Sequence, residues 1–207
     1  MRPLPRLHAI THDAILQDAD LGIRAAAIAA VGPAAALHVR GRSSSAALLS
    51  KCATRFISLA TPAEAAVIVN ARPDLARAVG AQGVQLGGGD LSVADARRVL
   101  GRGWIGRSVH SVDEARDAIT EGADYLLLGS IFETATHPGR PGLGLGVLAE
   151  VTALGTPVVA IGGVTPARSK EIRDAGAWGV AAIRALWDAP DAYATAMEML
   201  APWSAAQ

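Results

Sequence analysis

The sequence predicts a single (β/α)8 barrel, in which eight parallel strands alternate with helices. Short apolar runs recur eight times along the 207 residues. They lack the apolar–polar alternation of half-exposed strands, as expected for parallel strands that are covered on both faces. Helix-capping signals lie between the runs, and successive runs are mostly about 20 to 30 residues apart, the length of one βα unit.

In chain order, the runs are "LHAIT" from Leu7, "ALHVR" from Ala36, "AAVIVN" from Ala65, "GVQLG" from Gly83, "WIGRSVH" from Trp104, "YLLLGS" from Tyr125, "PVVAIGG" from Pro157 and "GVAAIRAL" from Gly179. Between them, Ser111 precedes acidic residues and Thr165 precedes Pro166, both typical of a helix N-terminus. The first run lacks the glycine-rich loop of an open doubly wound sheet, which favours the barrel. No linker or change of composition divides residues 1–207, so we expect one domain.

The composition excludes several classes of protein. Lys and Arg together number 19, as do Asp and Glu, so no excess charge indicates binding to nucleic acid or to a membrane surface. The single cysteine, Cys52, excludes an intrachain disulfide, and no His/Cys spacing indicates a metal site. No apolar run reaches the roughly 18 residues of a membrane span, and no signal peptide is recognisable. We expect a cytoplasmic protein without a cofactor or metal; a homo-oligomer is compatible with the sequence.

Residues that could carry chemistry stand at the ends of the apolar runs. Active sites of (β/α)8 barrels lie at the C-terminal ends of the strands, so polar residues there are expected to meet at one mouth. They are His12, Arg40, Arg42, Asn70, Arg72, Gln85, Ser108, His110, Ser130 with the loop after it, Gly162, Gly163 and Arg184. Each of them could instead begin a loop or cap a helix. No Ser-His-Asp, Walker or zinc motif is present, so nucleophilic catalysis and nucleotide hydrolysis lack support.

The strongest local signal is "PVVAIGGVTPARS", where a buried strand leads into Gly162, Gly163 and a helix N-terminus. Glycine lets an anion approach the backbone N–H groups, and the loops after strands seven and eight of such barrels commonly bind phosphate. We expect a phosphate on these glycines, near the backbone of Ile183, with Arg184 adding charge. The alternatives are a tight turn at the glycines and a surface position for Arg184.

A second anion-binding segment is predicted at "ALHVRGR". His38, Arg40 and Arg42 alternate along it, so they face the same side of an extended segment. Two guanidinium groups at one mouth suit a carboxylate or a phosphate. The alternative is that both arginines pair with acids of neighbouring loops.

These strand ends, with "VIVNARPDLA", "GVQLGGGDLS", "IGRSVHS" and "LLLGSIFET", resemble the thiamine phosphate synthase superfamily over almost the whole chain. The resemblance implies one of two activities in thiamine biosynthesis. The synthase joins a pyrimidine diphosphate to a thiazole phosphate with magnesium. The TenI-type thiazole tautomerase isomerises a thiazole carboxylate phosphate without metal. Either activity implies a small phosphorylated thiazole as substrate.

The chain departs from the synthase pattern where that pattern holds magnesium. The pattern has an aspartate at the position of Ala71, so that only Asp90 remains of an acidic pair, and a lysine after the sixth strand, where this chain has none. Magnesium prefers carboxylate oxygens. The resemblance therefore implies the tautomerase; the synthase and a non-catalytic thiazole phosphate-binding barrel are the alternatives. The substrate-binding residues that we expect are Arg40, Arg42, Asn70, Gln85, Ser108, Thr134, Gly162, Gly163, Ile183 and Arg184.

The tautomerase pattern is broken in "GSIFETATHPGRPGLGLG", residues 129–146. Tautomerases place a general acid/base histidine directly after the glycine that ends the sixth strand, and this chain has Ser130 there. A serine hydroxyl does not accept a proton at neutral pH as imidazole does. We expect His137, in the same loop, or His38 to supply the imidazole beside Ser130, with Glu133 as a further candidate. The alternative for His137 is an exposed loop position.

Overall fold

The chain folds, as predicted, into a closed barrel of parallel strands. The structure is a computed structural model that describes residues 3–134, 139 and 141–204. Neighbouring strands follow chain order, and the last strand pairs with the first, Val180 lying opposite Leu7. The strands are β1 (Leu7–Ile10), β2 (Ala35–Val39), β3 (Ala66–Asn70), β4 (Gly83–Leu86), β5 (Trp104–Val109), β6 (Tyr125–Leu128), β7 (Val158–Ile161) and β8 (Gly179–Ala182). The (β/α)8 fold is confirmed; a single domain over residues 1–207 stays a prediction.

Helices connect the strands and cover the outside of the barrel. They are α1 (Asp13–Leu16), α2 (Leu21–Ala29), α3 (Ala46–Ala60), α4 (Pro73–Val79), α5 (Val93–Leu100), α6 (Val112–Thr120), α7 (Gly144–Thr152), α8 (Pro166–Asp174), α9 (Arg184–Trp187) and α10 (Ala192–Ser204). The side chain of Ser111 accepts a hydrogen bond from the backbone N–H of Glu114, which confirms the predicted start of α6. Thr165 makes no such bond, and α8 begins with Pro166. None of the described helices is long and apolar enough to cross a membrane.

The barrel interior is filled by side chains and is not an open channel. One group of buried apolar residues fills the space inside the strands, and a larger group lies between the strands and the helices. The interior group comprises Ile10, Ala36, Ala66, Ile68, Trp104, Tyr125, Leu127, Val159 and Ala181. Two histidines, His8 and His38, share this interior and have no exposed surface.

Gly106 in β5 makes room for two interior side chains from the neighbouring strands. A Cβ atom at this position would lie 2.2 Å from Cζ of Tyr125 and 2.2 Å from Oε1 of Gln85. Such distances are far below van der Waals contact, so any larger residue would displace one of the two side chains. The glycine therefore determines where Gln85 and Tyr125 lie below the mouth.

Candidate active site

The C-terminal ends of the strands bring the residues named from the sequence to one end of the barrel. Asn70 is the last residue of β3, and Ser108 is the residue before the last of β5. Gln85, the residue before the last of β4, pairs with Asn70. The predicted residues that follow a strand within one or two positions include Arg40, Ser130, Gly162, Gly163, Ile183 and Arg184. This end of the barrel is the mouth referred to below.

Two histidines and an asparagine form a hydrogen-bonded row inside the barrel. Nδ1 of His8 lies 2.8 Å from Nε2 of His38, and Nδ1 of His38 lies 3.1 Å from Oδ1 of Asn70. Nε2 of His8 lies 3.1 Å from the carbonyl oxygen of Pro5. Burial lowers the pKa of His8 to about 4. Burial and the neighbouring His8 hold the pKa of His38 well below its usual range, so both rings are neutral at neutral pH.

His38 has no free ring nitrogen in this row. A general base needs a nitrogen within hydrogen-bonding distance of the substrate. Catalysis by His38 therefore stays a prediction, and one that requires its contact with Asn70 to open. The sequence does not single out His8, because one histidine in the apolar run "LHAIT" indicates burial and nothing more. Its partner in β2 becomes evident only from the pairing of β1 with β2, which places Ile10 opposite His38.

Gln85 and Ser108 form a second polar contact, between β4 and β5. Nε2 of Gln85 donates a hydrogen bond to Oγ of Ser108 at 3.0 Å. Among the described residues, Oε1 of Gln85 and the hydroxyl of Tyr125 are buried without a hydrogen-bond partner. Burial raises the pKa of Tyr125, so its phenol is neutral. Of the two contacting residues, Ser108 is partly exposed and Gln85 is buried, so Ser108 is the one that a ligand can reach.

The loop after β1 holds the backbone of the loop after β2. Oγ1 of Thr11 accepts a hydrogen bond from the backbone N–H of Arg40 at 2.8 Å. The carboxylate of Asp13 accepts one from the backbone N–H of Arg42 at 3.0 Å and one from the hydroxyl of Ser44 at 2.7 Å. The bond from Ser44, together with backbone N–H donors, lowers the pKa of Asp13 to about 2. The carboxylate is thus ionised at neutral pH and fixes the segment that carries both arginines.

The arginines at the mouth form no ion pair with described acids, although the charge of Asp13 acts on Arg40. The guanidinium of Arg40 is half-buried and makes no ion pair or hydrogen bond with a described residue. Burial, and then the charge of Arg42, lower the pKa of Arg40, and the charge of Asp13 offsets part of this effect. Arg42 and Arg184 are exposed and likewise form no ion pair within the described chain. By comparison, Arg72 at the end of β3 pairs with Asp74 at 2.6 Å. The predicted alternative, pairing of Arg40 and Arg42 with neighbouring acids, is not what the described residues show.

Gly162 and Gly163 lie where the loop after β6 packs along the end of β7. The backbone N–H of Phe132 donates to the carbonyl of Gly162 at 3.1 Å. Both glycines are left-handed, with φ of 97° and 65°. A Cβ atom on Gly162 would lie 2.5 Å from Cα of Ser130, and one on Gly163 would lie 2.7 Å from Cβ of Phe132. The glycines therefore satisfy a tight turn and close loop packing, and no described residue accepts a hydrogen bond from the N–H of Gly163.

Part of the loop after β6 lies in the described chain. The carbonyl of Ser130 accepts a hydrogen bond from the backbone N–H of Leu143 at 2.8 Å, which fixes the start of the loop to its end. Thr134 is the last described residue before position 139. His137 lies outside the described residues, so its catalytic role stays a prediction, as do the roles of Ser130 and Thr134.

Two other histidines named from the sequence have local roles. Nδ1 of His12 accepts a hydrogen bond from the backbone N–H of Ala14 at 3.2 Å and caps α1. The carboxylate of Glu114 accepts one from the backbone N–H of His110 at 2.8 Å and lies 3.2 Å from its ring. Both contacts match the alternative reading, in which polar residues at strand ends cap the helices that follow.

The described residues do not match the two-carboxylate magnesium site of the synthase pattern. Ala71, which has no oxygen ligand in its side chain, occupies a left-handed conformation with φ of 64° and donates its N–H to the carbonyl of Gln85 at 2.9 Å. Oδ2 of Asp90 accepts a hydrogen bond from the backbone N–H of Gly87 at 2.6 Å. In the described chain, no group of three His, Cys, Asp or Glu side chains is placed to hold a metal ion.

Comparisons with known proteins identify the family to which the chain is similar. The sequence profile of the thiamine monophosphate synthase family matches residues 7–186. A thiamine-phosphate synthase of Marinobacter nauticus is 40% identical over 185 residues, which cover 88% of this chain and 83% of the relative. One of Anaeromyxobacter dehalogenans is 42% identical over 177 residues, covering 84% and 79%. The solved thiamine phosphate pyrophosphorylase of Pyrococcus furiosus superposes with a TM-score of 0.83 at 31% identity, covering 97% of this chain and 96% of its own.

Proposed function

The chain belongs to the thiamine monophosphate synthase family, and on that premise we propose that it is a transferase of thiamine biosynthesis. Its reaction joins a pyrimidine diphosphate to a thiazole phosphate and releases diphosphate. Relatives that are 40% and 42% identical to it over 185 and 177 aligned residues are named for this activity. Their names favour the synthase, the alternative in the sequence analysis, over the tautomerase that the sequence pattern ranks first.

The observation that carries the proposal is the unpaired guanidinium of Arg40. Removing a cation from water costs free energy unless an opposite charge compensates for it. An anionic ligand at the mouth supplies that compensation, and a guanidinium binds phosphate through two parallel N–H bonds. Both substrates of the transfer carry phosphate groups. Arg42 and Arg184 add positive charge at the exposed rim of the same mouth.

The leaving group of the transfer is diphosphate, so the site has to stabilise negative charge as the bond to the pyrimidine carbon breaks. Cations that are in place before the reaction do this without reorganisation of the site. The loop held by Asp13 and Thr11 keeps Arg40 and Arg42 in such a position. The free backbone N–H of Gly163 is a donor for the phosphate of the thiazole. None of these steps uses a metal ion held by the protein.

The second candidate is the thiazole tautomerase, and Ala71 is the observation that favours it. A reaction without a diphosphate needs no pair of carboxylates to hold magnesium, so an alanine at this position is compatible with it. The tautomerase does need a proton acceptor at the mouth. Among the described residues Glu133 offers a carboxylate, which accepts a hydrogen bond from the backbone N–H of Gly139 at 3.3 Å. His137 is the candidate imidazole from the sequence.

One pair of assays tests both candidates on the same purified protein. The first supplies the pyrimidine diphosphate and the thiazole phosphate, with and without magnesium, and measures thiamine phosphate by fluorescence after oxidation. The second supplies the non-aromatic thiazole carboxylate phosphate and follows aromatisation by absorbance. Product in the first assay supports the proposal. Product in the second alone replaces it with the tautomerase. Binding of thiazole phosphate without either product identifies a barrel that binds and does not catalyse.

A further inference from the structure

Hydrogen bonds connect Pro5, His8, His38 and Asn70 in a row. The carbonyl group of Pro5, at one end, determines which atom donates in each of these bonds. A carbonyl oxygen only accepts hydrogen bonds, so Nε2 of His8, 3.1 Å from the carbonyl of Pro5, has to carry a hydrogen. In a neutral ring, Nδ1 of His8 is then bare and accepts. Nε2 of His38, 2.8 Å away, therefore carries the hydrogen of that contact.

The same rule decides which atom donates in the contact between His38 and Asn70. With its hydrogen on Nε2, a neutral His38 has a bare Nδ1, which needs a donor. The atom of Asn70 that lies 3.1 Å from it is the carboxamide oxygen, and two acceptors make no hydrogen bond. Moving the hydrogen of His38 to Nδ1 would satisfy Asn70. It would also force His8 to donate from Nδ1 and leave its bare Nε2 against the Pro5 carbonyl.

Three arrangements satisfy every contact. In the first, both rings are neutral and the carboxamide of Asn70 is turned, so that its NH2 group donates to His38. In the second, His38 carries a second proton and donates to the carboxamide oxygen. In the third, His8 carries the second proton and donates to Nε2 of His38, which donates from Nδ1 to the carboxamide oxygen. The second and third arrangements enclose a cation that has no exposed surface, and no described acid forms an ion pair with either ring. An enclosed charge without a partner is costly, whereas turning an amide exchanges two groups of nearly the same size.

We propose that His8 is a positioning residue: through His38 it fixes which end of the Asn70 carboxamide faces the mouth. The NH2 group of Asn70 points inward to Nδ1 of His38, and its carbonyl oxygen points towards the ligand. Asn70 ends β3 and is partly exposed, so this oxygen is within reach of a ligand. It accepts a hydrogen bond from an N–H or O–H group, such as an amino group on a heterocycle, and does not suit a phosphate oxygen.

The role of the oxygen towards substrate rests on the proposed function, whereas the direction of the hydrogen bonds does not. The direct measurement is therefore made without substrate. Long-range proton–nitrogen correlation spectra of protein with nitrogen-labelled histidine distinguish the two neutral tautomers and the cation. Both His8 and His38 are expected as neutral rings with the hydrogen on Nε2. A hydrogen on Nδ1 of His38, in a neutral ring or a cation, overturns the proposal whether or not the protein is a synthase.

Three variants test the positioning role itself. His8→Leu removes the acceptor for His38, which frees its ring to move the hydrogen to Nδ1 and the carboxamide of Asn70 to turn. His8→Gln keeps both bonds, because a carboxamide can donate to Pro5 and accept from His38. Tyr125→Phe is the matched control, since its ring lies 5.5 Å from that of His8 and its hydroxyl has no described partner.

His8→Leu is expected to switch the tautomer of His38 and to raise KM about tenfold, the equivalent of one hydrogen bond. His8→Gln and Tyr125→Phe are expected to keep the tautomer and the KM of the unmodified protein. A tautomer that stays on Nε2 in His8→Leu contradicts the proposal. So does an equal rise of KM in all three variants, which would indicate a general effect of altered packing. If His8→Leu does not fold, the spectra of the unmodified protein and of His8→Gln decide.

Discussion

Nδ1 of His8 and Nε2 of His38 lie 2.8 Å apart, and neither ring has exposed surface. Only one hydrogen fits between two nitrogens at this distance. Protonating either bare nitrogen would break a hydrogen bond or place a charge where no water can solvate it. The buried contact between β1 and β2 is therefore most favourable while both imidazoles are neutral.

Stability is expected to fall as the pH drops from about neutral towards the acid range. Free imidazole has a pKa of 6.5, whereas burial lowers the pKa of His8 to about 4, so between these values the unfolded chain binds more protons than the folded one. The free energy of unfolding therefore decreases as pH falls through this window, by about 2 kcal/mol for one such residue at about pH 5. Urea unfolding over a pH series measures it.

Two variants separate the buried pair from other titrating groups. His38→Gln removes one of the two buried imidazoles and is expected to make the loss of stability towards acid shallower. His110→Gln removes an imidazole whose side chain is 66% exposed, and it is expected to leave the pH dependence unchanged. Identical pH dependence in all three proteins would show that the buried pair does not control acid stability.

Tyr125→Phe is expected to leave the free energy of unfolding unchanged or to raise it by about 1 kcal/mol. The hydroxyl of Tyr125 is buried with no hydrogen-bond partner among the described residues, so its removal relieves a desolvation cost and breaks no described bond. Tyr193→Phe, at a position that is 44% exposed, is the control for losing a phenol hydroxyl at the surface. A loss of more than about 1 kcal/mol in the buried variant alone would mean that the hydroxyl is bonded, for example to an internal water.

The sequence predicts the strands because each is a short apolar run bounded by glycine or polar residues, a local property of the chain. It also predicts the N-cap at Ser111, whose partner Glu114 is three residues away. The row of His8, His38 and Asn70 is different. It depends on the pairing of three strands whose residues are about 30 apart in the chain, so no local pattern contains it.

For Gly163, the sequence predicts a role in ligand binding but not its role in packing. The sequence predicts that it leaves room for an anion. In the structure, the missing side chain also makes room for Phe132, over which the guanidinium of Arg168 lies 4.3 Å from the ring centre. That loop approaches β7 through hydrogen bonds between residues about thirty apart in the chain, such as Ile131 and Ile161. A bulky substitution at Gly163 would therefore move the loop as well as block a ligand, and it is a poor test of anion binding.

Arg40→Ala is a cleaner test of the anion site. Loss of an unpaired guanidinium is expected to weaken binding of the phosphorylated substrates, raising KM on the order of tenfold or more, because charged hydrogen bonds contribute about 1.5 to 3 kcal/mol. Arg40→Lys keeps the charge but not the bidentate geometry, so an intermediate loss is expected. Arg98→Ala, which removes an exposed arginine that pairs with Asp95 on α5, is the control. An unchanged KM in Arg40→Ala would place the anion elsewhere.

His137→Ala tests the second candidate function. A tautomerase needs a group that takes a proton from the carbon bearing the carboxylate and returns one to the exocyclic carbon. Such a group contributes typically about 100- to 10,000-fold in rate. If the protein aromatises the thiazole, His137→Ala is expected to lower turnover at least tenfold, and more than His38→Ala, whose ring nitrogens are both engaged. Full activity in both variants would exclude an imidazole and leave Glu133 as the candidate base.

Ala71→Asp tests whether a carboxylate at position 71 strengthens the binding of magnesium. The left-handed φ of 64° at Ala71 is a conformation that aspartate and asparagine adopt more readily than alanine, so the backbone of this chain is already suited to a carboxylate. The added carboxylate stands at the end of β3, beside the loop that carries Asp90 after β4. If the protein is a synthase, the substitution is expected to lower the magnesium concentration for half-maximal rate by about tenfold, because hard cations are held by carboxylate oxygens.

Ala71→Asn is the matched control: it relieves the same backbone strain without adding charge, so it is expected to raise stability equally and leave the magnesium response unchanged. An equal magnesium response in both variants would show that position 71 does not lie within reach of the ion.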